Sequence, residues 1–198
     1  MHRTKLFRIG YISALALLQL TFCRSAAARD GAGLKDAVVL VIRHAEKPEE
    51  GKELSPEGVE RAKAYVQYFQ SFQIDGKPIK PDALFAAKDS KNSVRPRLTL
   101  EPLSRGLHSP LNCDFKDKDP ETLARELKSK PHGKNILICW HRGKIPELLQ
   151  DLGANPEALL PDGKWPDNVF DWMIELRYDH QGRIIPSESK KIHEDIKI

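Results

Sequence analysis

The chain has 198 residues, with 32 lysines and arginines against 28 aspartates and glutamates, and a formal net charge of +4. Residues 1–28 contain four of the basic residues and no acidic one: Arg3, Lys5, Arg8 and Arg24. Without that segment the chain has 28 basic and 28 acidic residues and no net charge. The remainder therefore lacks the overall positive charge typical of proteins that bind nucleic acids or anionic membranes, and any positive potential must be local.

Residues 1–28 also have the layout of a secretory signal peptide. A basic start is followed by an apolar run from Ile9 to Phe22 and then by the small residues Ser25–Ala28, which suit cleavage. The run is short for a membrane span, although a retained anchor is the alternative. Cys23 gives a loose lipobox-like pattern that the bulky Phe22 disfavours. We therefore expect an exported protein, periplasmic or secreted, without stable membrane insertion after cleavage.

Residues 29–198 are enough for a single domain with a buried core. Two cysteines remain in this part, Cys113 and Cys139, which are too few for a disulfide-built scaffold. Cys139 lies in an apolar run and is expected to be a small buried residue. The sequence leaves open whether the two thiols are free.

The first elements of the domain are a strand and a helix. Residues 37–42 form an unbroken apolar run rich in β-branched residues, which is typical of a strand buried on both faces. After a polar loop, Ser55 is a good N-cap and Pro56 suits the first helical position. The apolar spacing predicts a helix to about Phe72 that buries one face, consisting of Val59, Ala62, Val66 and Phe69.

The rest of the chain alternates between strand and helix patterns. We predict a strand at 83–87, a helix capped by Ser93, a helix from Pro120 capped by Asp119, a strand at 135–140 and a helix from Gly143 to Leu152. A long loop at 155–167 precedes an antiparallel hairpin, with strands at 170–178 and 183–185. This alternation predicts an α/β fold, a three-layer α/β/α sandwich with a mostly parallel central sheet.

Two histidines occur at equivalent places in this pattern. His44 directly follows the first buried strand and is preceded by Arg43, and His141 directly follows the strand at 135–140. In open α/β sheets, ligands bind at the carboxyl ends of the strands. If these two strands are neighbours, both imidazoles face one pocket.

Four segments in this order resemble the histidine phosphatase superfamily, the phosphoglycerate mutase-like proteins. Val41–Lys47 is similar to its Arg-His signature, and Leu54–Ala62 to a helix start of the form Leu-Thr-x-x-Gly-x-x-x-Ala. Ser93–Thr99, followed by Glu101-Pro102-Leu103, resembles a Ser-x-Arg-x-x-x-Thr segment, and Ile138–Gly143 a second-histidine motif. Arg-His alone is a weak signal, whereas four ordered segments are specific.

The resemblance implies a metal-independent phosphatase with no cofactor, acting on a small phosphorylated substrate. His44 would accept the phosphoryl group as a neutral imidazole. Arg43, Arg95 and His141 would hold the phosphate, because a dianion requires several cationic donors. Arg142 is a further candidate phosphate ligand. The lack of an acidic residue directly after His141 departs from the acid phosphatase branch and disfavours a phytase-like activity.

Two roles stay open in the sequence. Arg97 competes with Arg95 for the second arginine position, and we prefer Arg95 because it stands four residues before Thr99, as in the family pattern. The proton donor to the leaving group is a choice between Asp114 and Asp117. Asp119 and Glu121, in the same region, are better explained as a helix cap and a solvated side chain.

Two other functions are consistent with the same residues. A metal site could use His44, Glu46 and His141, although no close metal-binding spacing supports it and Arg43 would repel a cation. A catalytically silent module could retain the pocket to bind a phosphate or a sugar phosphate.

Overall fold

A computed structural model describes residues 33–198 of the chain. The predicted signal peptide at 1–28, with Cys23, lies outside the described residues. Within the described part, no helix combines the length and the apolar character needed to cross a membrane.

The fold contains eight strands and five helices within residues 33–198. The strands are β1 (Val38–Arg43), β2 (Gln73–Ile74), β3 (Lys77–Pro78), β4 (Ala83–Ala86), β5 (Leu111–Asn112), β6 (Asn135–Trp140), β7 (Trp172–Arg177) and β8 (Lys190–His193). The helices are α1 (Pro56–Ser71), α2 (Arg95–Leu107), α3 (Pro120–Ser129), α4 (Ile145–Asp151) and α5 (Pro156–Leu159).

Six of the strands form the central sheet in the order β5-β4-β6-β1-β7-β8, and β2 pairs separately with β3. β5, β4, β6 and β1 run parallel to one another, whereas the β1–β7 and β7–β8 pairs are antiparallel. The predicted mostly parallel α/β sheet is therefore confirmed. β1 and β6 are direct neighbours at its centre.

Helices cover both faces of this sheet. Alternate residues of β1 belong to two separate cores, as expected when side chains alternate across a strand. Val39 and Val41 pack with residues of α3 and α4, whereas Leu40 and Ile42 pack with residues of α1 and α2. The result is the three-layer α/β/α arrangement. Cys139 is fully buried in the second core, and Cys139 and the half-buried Cys113 are both free thiols.

The predicted hairpin at the sheet edge was wrong in its second strand. Residues 183–185 make one isolated bridge, between Ile184 and Tyr178, and the strand that pairs with β7 is β8, at Lys190–His193. The turn at Asp179-His180-Gln181-Gly182 is present, but the chain then leaves the sheet at Pro186 to form a short 3₁₀ helix. A proline cannot donate to a strand ladder, so the pairing resumes beyond it.

The buried face of α1 differs from the predicted one at its start. Val59 is 40% exposed, whereas Gly58, Arg61 and Tyr65 are buried. Gly58 lies against the loop after β1, where a Cβ would come within 2.3 Å of the Glu46 carbonyl oxygen. This close approach rotates the start of the helix toward that loop and directs Val59 to solvent.

Candidate active site

The two predicted histidines lie side by side at the carboxyl ends of β1 and β6. Arg43 pairs with Trp140 in the parallel register, and the amide of His44 donates to the Trp140 carbonyl at 3.1 Å. The next residue of β6 is His141, and the centroids of the two imidazole rings are 5.1 Å apart with an interplanar angle of 68°. The structure therefore brings both histidines to one edge of the sheet.

The orientation of His44 determines which ring nitrogen is free to react. Its Nδ1 lies 2.7 Å from the carbonyl oxygen of Ala45. A carbonyl oxygen only accepts hydrogen bonds, so Nδ1 carries the proton and donates it. In the neutral ring the lone pair then resides on Nε2. This tautomer is the one a nucleophilic imidazole needs.

Both imidazoles are neutral at ordinary pH. Burial is the main cause that lowers the pKa of His44 to about 3, with smaller contributions from His141, Arg43 and Arg95. Burial, followed by Arg95 and Arg43, lowers the pKa of His141 to about 4. The ring that would attack is thus unprotonated.

Arg43 is buried and is fixed by the loop that precedes β7. Its Nη1 donates to the carbonyl oxygens of Asp167 at 2.7 Å and of Val169 at 2.8 Å. Its guanidinium carbon lies 3.6 Å from the centroid of the Phe170 ring. Burial lowers the pKa of Arg43 to about 10, a value at which the guanidinium is still charged near neutrality. The loop thus keeps a cation next to His44.

Arg142 lies on the outer side of this cluster. Its Nη1 forms an ion pair with the Asp167 carboxylate at 2.5 Å, and 40% of its side chain is exposed. Much of the charge of Arg142 is therefore neutralised by Asp167. Binding phosphate through Arg142 would require an anion that competes with Asp167.

The two candidate arginines of α2 have different surroundings. Arg95 lines a cavity of about 540 Å³ together with His141. Backbone carbonyls of the loop after β1 hold its guanidinium, Nε donating to Glu53 at 3.0 Å and Nη2 to Gly51. Arg97 instead pairs with Asp89 at 2.8 Å and Glu101 at 3.5 Å. The geometry thus groups Arg95, and not Arg97, with the histidines.

Thr99 connects α2 to the loop that carries His44. Its Oγ1 accepts a hydrogen bond from the Ala45 amide at 2.9 Å and donates to the Arg95 carbonyl at 2.9 Å. The side chain is fully buried. Thr99 therefore fixes the backbone of Ala45, and the carbonyl of Ala45 in turn orients the ring of His44. Its four-residue spacing from Arg95 was noted in the sequence, but this contact was not predicted.

The two candidate proton donors also separate. Asp117 lines the same cavity as His141 and Arg95, and its buried Oδ1 has no hydrogen-bond partner among the described residues. Burial raises the pKa of Asp117 to about 6. Asp114 is exposed and does not line the cavity. Asp119 caps α3 by accepting from the Thr122 amide, as predicted.

The candidate metal ligands are not arranged as a metal site. Within residues 33–198, no group of three or more histidine, cysteine, aspartate or glutamate side chains is placed to hold a metal ion. Glu46, the third residue of the metal hypothesis, is instead bound by Arg61, whose Nε donates to both carboxylate oxygens at 2.8 and 3.0 Å.

Comparisons with known proteins give similarity at the level of structure. Neither a protein-family model nor a curated protein sequence matches the chain. A protein assigned as an α-ribazole-5′-P phosphatase, from Escherichia coli K-12, superposes with a TM-score of 0.51 at 14% identity, over 83% of this chain and 100% of that one. "Mycobacterial hydrolase 2" superposes with a TM-score of 0.50 at 12% identity, over 82% and 92%.

The protein histidine phosphatase SixA, in complex with tungstate, has a TM-score of 0.46 at 14% identity, over 75% of this chain and 92% of its own. At these identities the comparisons establish the fold alone. The sheet order, the three layers and the first two superpositions agree with the resemblance found in the four sequence segments. The chain therefore has a phosphoglycerate mutase-like α/β fold.

Proposed function

We propose that the protein is a phosphatase that hydrolyses a phosphate monoester, or a phosphohistidine, through a phosphohistidine intermediate on His44. The observation that carries this proposal is the pairing of His44 with His141. The His44 ring has a fixed tautomer with Nε2 unprotonated. The His141 ring lies beside it and lines a cavity that Arg95 also lines. The phosphatase and hydrolase names of the two superposed proteins agree with it.

The reaction follows from the positions of these groups. Nε2 of His44 attacks phosphorus, so that a P–N bond forms and the P–O bond to the leaving group breaks. The leaving oxygen takes a proton from Asp117. Water then attacks the phosphohistidine and gives one proton back to Asp117; the P–N bond breaks, inorganic phosphate is released, and the neutral imidazole of His44 and the protonated Asp117 are restored.

The cations around the site supply the stabilisation of the transferred group. Arg43 and Arg95 are permanently charged donors whose orientation is already set by backbone carbonyls, so little reorganisation is needed when charge spreads over the phosphoryl oxygens. His141 can take up a proton as the dianion binds and act as a third donor. These groups perform the charge neutralisation without a metal ion.

A silent binding module is the alternative that experiment must exclude. Incubation of the protein with p-nitrophenyl phosphate, with and without a chelator, tests both this alternative and the metal hypothesis. We expect continuous release of nitrophenolate that the chelator leaves unchanged. Binding of phosphate without release would favour the silent module, and loss of activity with the chelator would favour a metal site.

The two arginines of α2 form a matched pair for testing the phosphate clamp. We expect Arg95→Ala to lower kcat/KM for p-nitrophenyl phosphate by about 100- to 1000-fold, because it removes a fixed donor to the transition state. Arg97 itself does not line the cavity; Arg97→Ala breaks its ion pairs with Glu101 and with Asp89, a residue of the cavity wall, and should leave kcat/KM for p-nitrophenyl phosphate near that of the wild type. Steady-state kinetics of both variants checks this, and equal losses would contradict the assignment of Arg95.

The leaving group tests the proton donor. An alkyl phosphate expels a basic alkoxide that needs a proton, whereas nitrophenolate leaves without one. We expect Asp117→Asn to lower kcat/KM for an alkyl phosphate by about 100-fold or more and to affect p-nitrophenyl phosphate much less. Asp114→Asn, a change in the same segment outside the cavity, is the control. An equal loss with both substrates would show that Asp117 does not act as the acid.

The same assignment predicts the pH dependence with alkyl phosphate. His44 must be unprotonated, so activity should appear as the pH rises through about 3. Asp117 must be protonated, so activity should fall as the pH rises through about 6. In the Asp117→Asn variant, the fall in activity that is due to Asp117 should be absent. Any change in activity caused by ionisation of the substrate should appear in both proteins.

A further inference from the structure

The cavity beside His141 extends well beyond the space that a phosphoryl group needs. It has a volume of about 540 Å³, within the range of sites for whole small molecules, whereas one phosphoryl group occupies a small part of it. Besides His141 and Arg95, its wall includes residues from the segments that follow β4 and β5. A substrate whose phosphate lies beside the rings of His141 and His44, whose centroids are 5.1 Å apart, would extend its leaving group toward these residues.

Three lysines give a positive charge to the part of the cavity wall that follows β4 and β5, which we call the outer cavity. Lys88 follows β4, and Lys116 and Lys118 follow β5. Among residues 33–198, no carboxylate forms an ion pair with any of the three ammonium groups. The cavity wall thus carries four cations: Arg95, which backbone carbonyls hold, and three exposed lysines that have no ion-pair partner in the described part of the chain.

The carboxylates in the same wall do not cancel this charge. Asp89 is already paired with Arg97 at 2.8 Å. Asp117 has a pKa raised to about 6, chiefly by burial, and even when it is ionised the wall holds four cations against two carboxylates. The outer cavity therefore favours an anion.

The backbone that carries the lysines is fixed by hydrogen bonds. The Lys88 amide donates to the Phe115 carbonyl at 2.7 Å, which continues the pairing of the two segments beyond β4 and β5. The Lys116 carbonyl accepts from the Asp119 amide at 3.0 Å, in a turn that leads directly into α3. The three side chains thus start from a defined wall beside the candidate catalytic residues.

From these observations we propose that the natural substrate is a phosphate monoester whose leaving group carries a second anionic group, a phosphate or a carboxylate. Lys88, Lys116 and Lys118 bind this second anion, and His44 receives the phosphoryl group. The inference rests on the proposed phosphatase function and adds the substrate class to it.

Two matched substrate pairs test this inference. Glycerol 3-phosphate and 3-phosphoglycerate differ by a carboxylate, and fructose 6-phosphate and fructose 1,6-bisphosphate differ by a second phosphate. We expect kcat/KM to be roughly tenfold or more higher for at least one of the more charged substrates, because three individually weak charge pairs act together. A preference within the first pair assigns a carboxylate, and one within the second pair a phosphate.

The variant that replaces Lys88, Lys116 and Lys118 by glutamine should lose this preference but keep its activity on p-nitrophenyl phosphate. The control replaces Lys63, Lys130 and Lys190 by glutamine; these lysines are exposed and lie outside the cavity. It removes the same net charge and should keep the preference. No preference in the wild type, or the same preference in both triple variants, would overturn the inference.

Binding to a His44→Ala variant separates this inference from the catalytic proposal. Calorimetric titration with the same substrate pairs requires no turnover. If p-nitrophenyl phosphate is not hydrolysed, the phosphatase proposal fails, and the titrations still decide whether the lysines recognise a second anion. Equal affinities within both pairs would refute lysine recognition even in an active phosphatase.

Discussion

His44→Ala should reduce the hydrolysis of p-nitrophenyl phosphate on the order of 10⁴-fold or more, because it removes the atom that forms the P–N bond. The comparison is made on kcat/KM with purified proteins of equal thermal stability. His180→Ala is the control, since His180 is exposed in the turn after β7 and should behave as the wild type. Hydrolysis by the His44→Ala variant at the wild-type rate would remove the enzyme assignment.

The size of this expected loss follows from the surroundings of His44. The ring is 4% exposed, its Nδ1 is committed to the Ala45 carbonyl, and the Ala45 amide is bound by Thr99. The ring of His141, whose centroid lies 5.1 Å away, follows a different strand. We therefore expect the His44→Ala variant to retain only the residual rate that Arg43 and Arg95 support without the nucleophile.

The second large effect is expected on stability, at the buried charge network behind the site. Arg61 binds Glu46, the residue two positions after His44, and its Nη1 lies 3.8 Å from Glu194 near the end of the chain. Tyr65 donates to the Glu194 carboxylate at 2.9 Å. All four side chains are buried. The network joins the loop after β1, α1 and the segment after β8.

Arg61→Ala should lower the free energy of unfolding by about 3–5 kcal/mol, because it leaves the buried carboxylate of Glu46 without the cation that pairs with it. Urea denaturation monitored by circular dichroism measures this loss. Arg125→Ala is the control, because Arg125 is an exposed arginine on α3 that lies 4.0 Å from Glu121 and should change stability by about 0.5 kcal/mol or less. Similar losses for the two variants would contradict a structural role for the network.

The network also makes a prediction for the pH dependence of stability. Burial is the main cause that raises the pKa of Glu194 from 4.5 to about 8 in the folded protein. Folding therefore takes up a proton at pH values between 4.5 and about 8. The contribution of Glu194 to the free energy of unfolding is complete below pH 4.5 and is lost as the pH rises through about 8. Glu194→Gln keeps a partner for Tyr65 without the charge and should remove this decline.

The two histidines of the site could be located in the sequence because each directly follows the apolar run of a strand. Val38–Arg43 and Asn135–Trp140 are recognisable strands, so His44 and His141 could be placed at strand ends. Their adjacency could not be derived from pattern alone, because it depends on β6 pairing with β1 in parallel across about ninety residues of chain. The family resemblance supplied that step.

The contacts that orient the site were not predictable in this way. Arg43 is held by carbonyls of the loop at 166–169, and backbone carbonyls carry no signal in a sequence. Phe170 lies against the Arg43 guanidinium, with its ring centroid 6.3 Å from that of His44. Trp165 and Trp172 belong to the core.

The helix α1 shows the same limit for packing. Apolar spacing located the helix at Pro56–Ser71 almost to the residue, but it could not anticipate that a buried arginine would occupy the inner face. Arg61 is tolerated there because Glu46 and Glu194 approach from other segments. From the sequence alone, a charged residue is predicted to be exposed to solvent, because its partners from distant segments are not known.

The most direct measurement is the identification of the phosphorylated residue during turnover. The protein is mixed with substrate, quenched rapidly under alkaline conditions that preserve phosphohistidine, and digested for mass spectrometry. We predict one added phosphoryl group on the peptide that contains His44, at a level that disappears in His44→Ala. A phosphoryl group on any other side chain, in a protein that turns over substrate, would contradict the assignment of His44 as the nucleophile.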